Sequence, residues 1–157
     1  MEMGLTIAKC ADLHVAVWLH TEQDPPAAPW AEALARIADL KARLGGDVSN
    51  IRMMVVTDGG APNSSQRSEL FAQLLDGKAK TTVVTTVLSN RLKRGIATAI
   101  FWLNPNFRAF GPEQFTQALT YLDLVAHEGT VISALQQLQK VVSPTKTLPM
   151  ITKQRAG

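Results

Sequence analysis

Residues 53–67, "MMVVTDGGAPNSSQR", read as the end of one element, a loop and the start of another. The apolar run Met53-Met54-Val55-Val56 has the unbroken character of a strand covered on both faces, and it extends back to Ile51 and on to Thr57. Asp58, two glycines and a proline then interrupt it. Asn63 is followed three residues later by Gln66, the spacing at which an N-cap side chain and a returning one satisfy each other's backbone N–H groups. Leu70, Phe71, Leu74 and Leu75 recur at helical spacing behind them, up to Asp76-Gly77. A buried strand that passes through a glycine loop into a capped helix is the unit of a parallel sheet.

The flanking sequence repeats this alternation. Residues 80–88, "KTTVVTTVL", are almost wholly β-branched and predict a central strand. Ser89 suits the cap of a helix running to about Leu103, before Asn104-Pro105 stops it. Phe107 to Phe110 reads as a short strand, and Gly111-Pro112 as the opening of a helix carrying Phe115, Leu119 and Leu122. A last helix is expected from about Thr130 to Val142, with Val131, Leu135, Leu138 and Val142 on one face. On the other side, Leu5 to Lys9 alternates weakly, and Ala11-Asp12 can turn the chain. Leu13, Val15, Val17 and Leu19 then share one face of a strand, while His14, Ala16, Trp18 and His20 share the other. After a proline-rich loop, Pro29 suits the first turn of a helix in which Trp30, Leu34, Ile37, Leu40 and Leu44 recur until Gly45-Gly46. This order predicts an α/β fold: a mainly parallel five-stranded sheet, its first strand antiparallel, flanked by helices and followed by an extra C-terminal helix. Residues 1–142 form one expected domain, and residues 143–157 an extended or flexible tail.

Composition narrows the function classes. The chain has 157 residues, of which 46% are hydrophobic and 18% charged, enough apolar material for a full core in one domain. No apolar stretch is long enough to span a bilayer, and Met1-Glu2-Met3-Gly4 lacks the basic and apolar regions of an export signal, so the expectation is a cytoplasmic protein. A single cysteine, Cys10, excludes an internal disulfide or a cysteine-rich metal site. The net charge of +3 falls short of a nucleic-acid signature, which needs cations clustered on a recognisable motif.

In open α/β sheets ligands gather at the carboxyl ends of the strands. Two such ends are expected here, Asp58-Gly59-Gly60 and the segment Ser89-Asn90. The glycines allow close backbone approach, each loop opens a helix, and Ser64, Ser65, Arg67, Arg91, Lys93 and Arg94 supply polar and cationic groups for an anion or an acidic partner. The same residues also serve an ordinary turn and helix cap with no ligand. Three cations at a helix start oppose the macrodipole, each at about 0.3–1 kcal/mol when exposed, which leaves either solvated side chains or a bound acidic group. From Ile96 that helix is apolar all round, and Phe101 and Trp102 fit either burial by a neighbouring helix or a homodimer interface. No P-loop pattern is present. His14, His20 and His127 have no metal-ligand spacing, and Asp58 has no nameable nucleophile beside it. No catalytic residue, metal or cofactor is therefore expected.

The stretches "MMVVTDGGAPNSSQR", "KTTVVTTVLSNRLKRGIATAIFWLNP" and "FRAFGPEQFTQALTYLDL", with the element order, resemble the STAS superfamily, and more closely the bacterial SpoIIAA-like, or STAS/SEC14-like, proteins. The likeness spans about residues 51 to 124. It implies a non-enzymatic domain that binds a partner protein, or in some cases a lipid or other apolar small ligand. STAS antagonists carry a phosphorylatable serine directly after the Asp that ends the central strand. Here Asp58 is followed by Gly59, and Ser64 and Ser65 come only after Pro62 and Asn63, so that site does not carry over. The leading expectation is a signalling or interaction module using the strand-end edge. The alternatives are a lipid or apolar-ligand binder and, third, an enzyme using Asp58.

Overall fold

In the computed structural model, which describes residues 1–74, 78–86, 106–142 and 148–151, five strands form one sheet in chain order. β1 (Met3–Cys10) and β2 (Leu13–His20) are antiparallel, joined by Ala11-Asp12 with Ala11 at φ +53, as a tight hairpin turn demands. β3 (Ile51–Thr57), β4 (Lys80–Thr85) and β5 (Phe107–Phe110) run parallel to β2. The predicted architecture is the one found. Residues 89–103, read as a helix between β4 and β5, lie outside the described residues, as do residues 87–88 of the expected fourth strand.

The alternation in β2 is what makes the sheet two-sided. Ala16 and Trp18 face α1 (Ala27–Arg43) and α2 (Ser64–Gln73), in a core with Met3, Met53, Trp30, Ile37, Leu40 and Leu70. Val15, Val17 and Leu19 face the opposite core, with Met54, Val56 and Val84 from the sheet. That second core is closed by α3 (Phe115–Tyr121) and α4 (Glu128–Gln139), with Leu122 and Leu124 between them, and a 3-10 turn (Val125–His127) with no buried residue leads into α4. α3 lies against β4 and β5, and α4 returns across the sheet to cover β1 and β2. Gly4 permits that return. A Cβ there would stand 2.9 Å from Val142 Cγ2 and 3.0 Å from Leu138 Cδ2, so those side chains would have to shift to admit it.

Some boundaries shift for local reasons. The first helix begins at Ala27 with Pro26 extended at its cap, which leaves Pro29 inside the first turn, where its missing N–H costs nothing. α3 starts at Phe115 rather than at Pro112, because the Gln114 side chain and backbone bond to Gly111 and hold a separate turn before it. Of the stretch expected as a tail, residues 148–151 are described, and Leu148, Met150 and Ile151 are buried in the α3/α4 core. That part of the chain is core, not a free tail. Three apolar residues within four positions show too little periodicity to announce a helix, although residues 149–151 are helical.

Candidate functional site

The carboxyl ends of the parallel strands are level. His20 pairs with Thr57, and Thr57 with Thr85. The ladder continues past them, with Asp58 N–H donating to His20 O at 3.0 Å and Thr86 N–H to Thr57 O at 3.0 Å. The Thr86 hydroxyl also donates to the Asp58 carboxylate, which ties the exits of β3 and β4 together. The exits of β3 and β4 therefore lie side by side at Asp58 and Thr86, while Ser89 and Asn90 of the second expected strand end lie outside the described residues.

Beyond Asp58 the loop bonds within itself and to residues 21–24. The Thr57 hydroxyl donates to Gly60 O at 2.6 Å and accepts from Gly59 N–H at 3.0 Å. Gly59 has φ +134, a region that side chains exclude. Gly60 N–H donates to Thr21 O at 2.8 Å, and a Cβ on Gly60 would lie 2.0 Å from Gln23 O. The close backbone approach that the glycines announce is thus made to residues 21–23 of the same chain. Ala61 N–H reaches the Asp24 carboxylate at 3.0 Å, and the buried Gln66 amide donates to Pro25 O at 3.0 Å. Arg67 spends one guanidinium nitrogen on Pro62 O at 2.8 Å.

Asn63 and Gln66 form the reciprocal box read from the sequence, each at 2.9 Å. Asn63→Ala leaves the Gln66 N–H without its acceptor and is expected to cost about 1 kcal/mol in urea unfolding; no measurable loss would show the box to be idle. Ser64 and Ser65, immediately behind the cap, are exposed. Of the other expected site residues, Ser89, Asn90, Arg91, Lys93 and Arg94 lie outside the described residues, as do Phe101 and Trp102.

A group of rings lies at the same edge, beneath α1. Trp18 stacks on His20, with centroids 6.0 Å apart and planes inclined by 10°, and meets Trp30 at 5.4 Å. All three are buried, and Trp18 Nε1, Trp30 Nε1 and His20 Nδ1 have no hydrogen-bond partner. Buried polar nitrogens are normally paired, so the two orphan indole N–H groups mark a place where an acceptor would be welcome, and the neutral His20 ring can offer Nδ1 beside them as donor or acceptor. Burial holds His20 neutral, lowering its pKa to about 4 despite the opposing pull of Asp24. Trp18 and His20 were legible as sharing a strand face. Their meeting with Trp30 was not, because it depends on how α1 crosses β2.

Among the described residues, no group of three or more His, Cys, Asp or Glu side chains is placed to hold a metal ion. His14 and His20 stand at opposite ends of β2. Cys10 is buried and burial pushes its thiol pKa up, away from the thiolate that nucleophilic chemistry needs. Among the described residues no helix is long and apolar enough to cross a membrane. Comparison with protein-family models, curated proteins and solved structures yields no match for this chain.

Proposed function

We propose that this chain is a non-catalytic binding module that holds a partner protein at the carboxyl edge of its sheet, in the cytoplasm. One observation carries the reading. The Thr57–Asn63 loop is fixed by bonds to residues 20–24 and to Thr86, and it presents Ser64 and Ser65 exposed on a rigid shoulder. A surface ordered in advance spends little entropy when a partner docks. The resemblance to SpoIIAA-like domains in residues 51 to 124 supports the same role. The cations Arg91, Lys93 and Arg94 suit an acidic partner, and Phe101 and Trp102 a homodimer contact. The test is to block the shoulder with bulky side chains at Ser64 and Ser65 and to measure partner binding.

A second reading, binding of a small apolar ligand that carries an acceptor, is favoured by the orphan nitrogens of Trp18, His20 and Trp30. Its mark would be a small molecule retained by the purified protein in native mass spectrometry.

A further inference from the structure

β1 forms one edge of the sheet. Glu2 O accepts from Thr21 N–H at 2.9 Å, so in the β1–β2 register the even-numbered residues of β1 bond to β2 and the odd-numbered ones turn their backbone groups outward. Those outward groups belong to Met3, Leu5, Ile7 and Lys9. No strand lies beyond them among the described residues, and Arg36 on α1 donates to one of them, Leu5 O. An edge of eight residues with no proline and one charge, Lys9, has few of the devices that keep such edges from pairing.

The helix above this edge carries a matching pattern. α1 starts beside the His20–Met3 end of the hairpin and ends beside the His14–Lys9 end, so it runs in the direction of β1. Glu32, Arg36, Asp39 and Arg43, all exposed, follow at i, i+4, i+7 and i+11, which is one stripe of a helix. The Arg36 bond to Leu5 O turns that stripe toward the open edge. Its charges alternate in sign from one residue to the next. Reversed against itself, the order pairs every acid with a base, Glu32 with Arg43 and Arg36 with Asp39. Asp39 and Arg43 meet within the helix at 3.2 Å, but an exposed pair of this kind is worth little and can exchange partners.

We propose that a second copy of this chain pairs antiparallel with β1 across a two-fold axis at Thr6, so that the two sheets continue into one another. Leu5 then exchanges backbone bonds with Ile7 of the second copy, and Met3 with its Lys9. The Ile7 N–H of the second copy takes over Leu5 O, which frees Arg36 for Asp39 of that copy. Strand and helix agree on the axis. With Arg36 beside Leu5, the middle of the stripe lies roughly 2 Å further along, at about 1.5 Å per helix residue, or just under one strand residue at about 3.3 Å. That point is Thr6, the centre of the strand register. Because α1 covers β1 and β2, its copy would lie two strand spacings away, about 10 Å, an ordinary distance between packed helices. The contact uses neither the carboxyl edge nor residues 101 and 102 and stands independently of the proposed function.

Sedimentation equilibrium of the full chain over a range of concentrations tests this, with far-ultraviolet circular dichroism on each variant. A reversible dimer is expected, weakened by salt. Ile7→Pro removes an outward N–H and no bond to β2, and should leave monomers. Glu32→Arg sets arginines against each other at both ends of the helix pair and should weaken dimerisation at least about tenfold. Arg43→Glu should do the same with acids. A mixture of these two variants restores opposite charges at both ends and should recover dimers holding one copy of each. Should Ile7→Pro not fold, the two charge variants, both at exposed positions, decide the matter. A wild type that stays monomeric, leaving the edge to a strand of another protein, would overturn the proposal. So would a dimer that persists unchanged in the folded variants, or a mixture that recovers nothing.

Discussion

Gly60→Ala is expected to lower unfolding stability by about 3 kcal/mol or more, the upper end for inserting atoms into a filled space. The added methyl carbon would stand 2.0 Å from Gln23 O and 2.7 Å from both Gln23 C and Thr21 O. These are backbone atoms, so no rotamer change relieves the overlap. The segment from Thr21 to Asp24 must move, and with it go the Gly60–Thr21 and Ala61–Asp24 hydrogen bonds. Because Gly60 does not have a positive φ, the effect isolates packing from backbone strain. Urea denaturation measures it directly. A loss below about 1 kcal/mol, inside the ordinary range for a point substitution, would mean that the loop is not pressed against residues 21–23 as described.

The second large effect is a pH dependence owed to His20. Its pKa falls from 6.5 to about 4 on folding, because burial penalises the charged ring. The unfolded state therefore takes up a proton at a higher pH than the folded state does. Stability from this residue is complete above pH 6.5, falls as the pH drops through the window between 6.5 and 4, and is gone below it. Across that window the loss amounts to about 3 kcal/mol, from roughly 1.4 kcal/mol per pKa unit. Unfolding free energies measured at steps between pH 7 and pH 4 should trace this decline, and His20→Phe should flatten it. An equal slope in wild type and His20→Phe would show that His20 is not sealed among Trp18 and its neighbours.

What the sequence made legible was mostly local. Ile51–Thr57 and Phe107–Phe110 have the strand limits that their composition suggests, and the Asn63–Gln66 box forms at its expected spacing. These features depend on residues within six positions of one another. The glycine pair was legible as a close backbone approach, but not what it approaches, since residues 21–23 are distant in sequence. The same holds for the clusters that only tertiary structure assembles. Arg52 reads as one charge inside an apolar strand, and nothing near it signals that Asp123, 71 residues on, takes its guanidinium. The burial of Leu148, Met150 and Ile151 was hidden by the prolines, threonines and lysines around them.

The interaction reading stands on the carboxyl edge, and affinity for a purified partner is the measurement closest to it. A partner identified by cross-linking to the intact chain would be titrated against wild type and against Ser64→Trp/Ser65→Trp, with melting temperatures taken on the same samples. Both serines are exposed, so the melting temperature should stay near that of wild type. Binding is expected to weaken at least about tenfold, the loss of roughly 1.4 kcal/mol that an obstructed contact produces. Unchanged affinity in a folded double variant would contradict the placement of the partner at this edge.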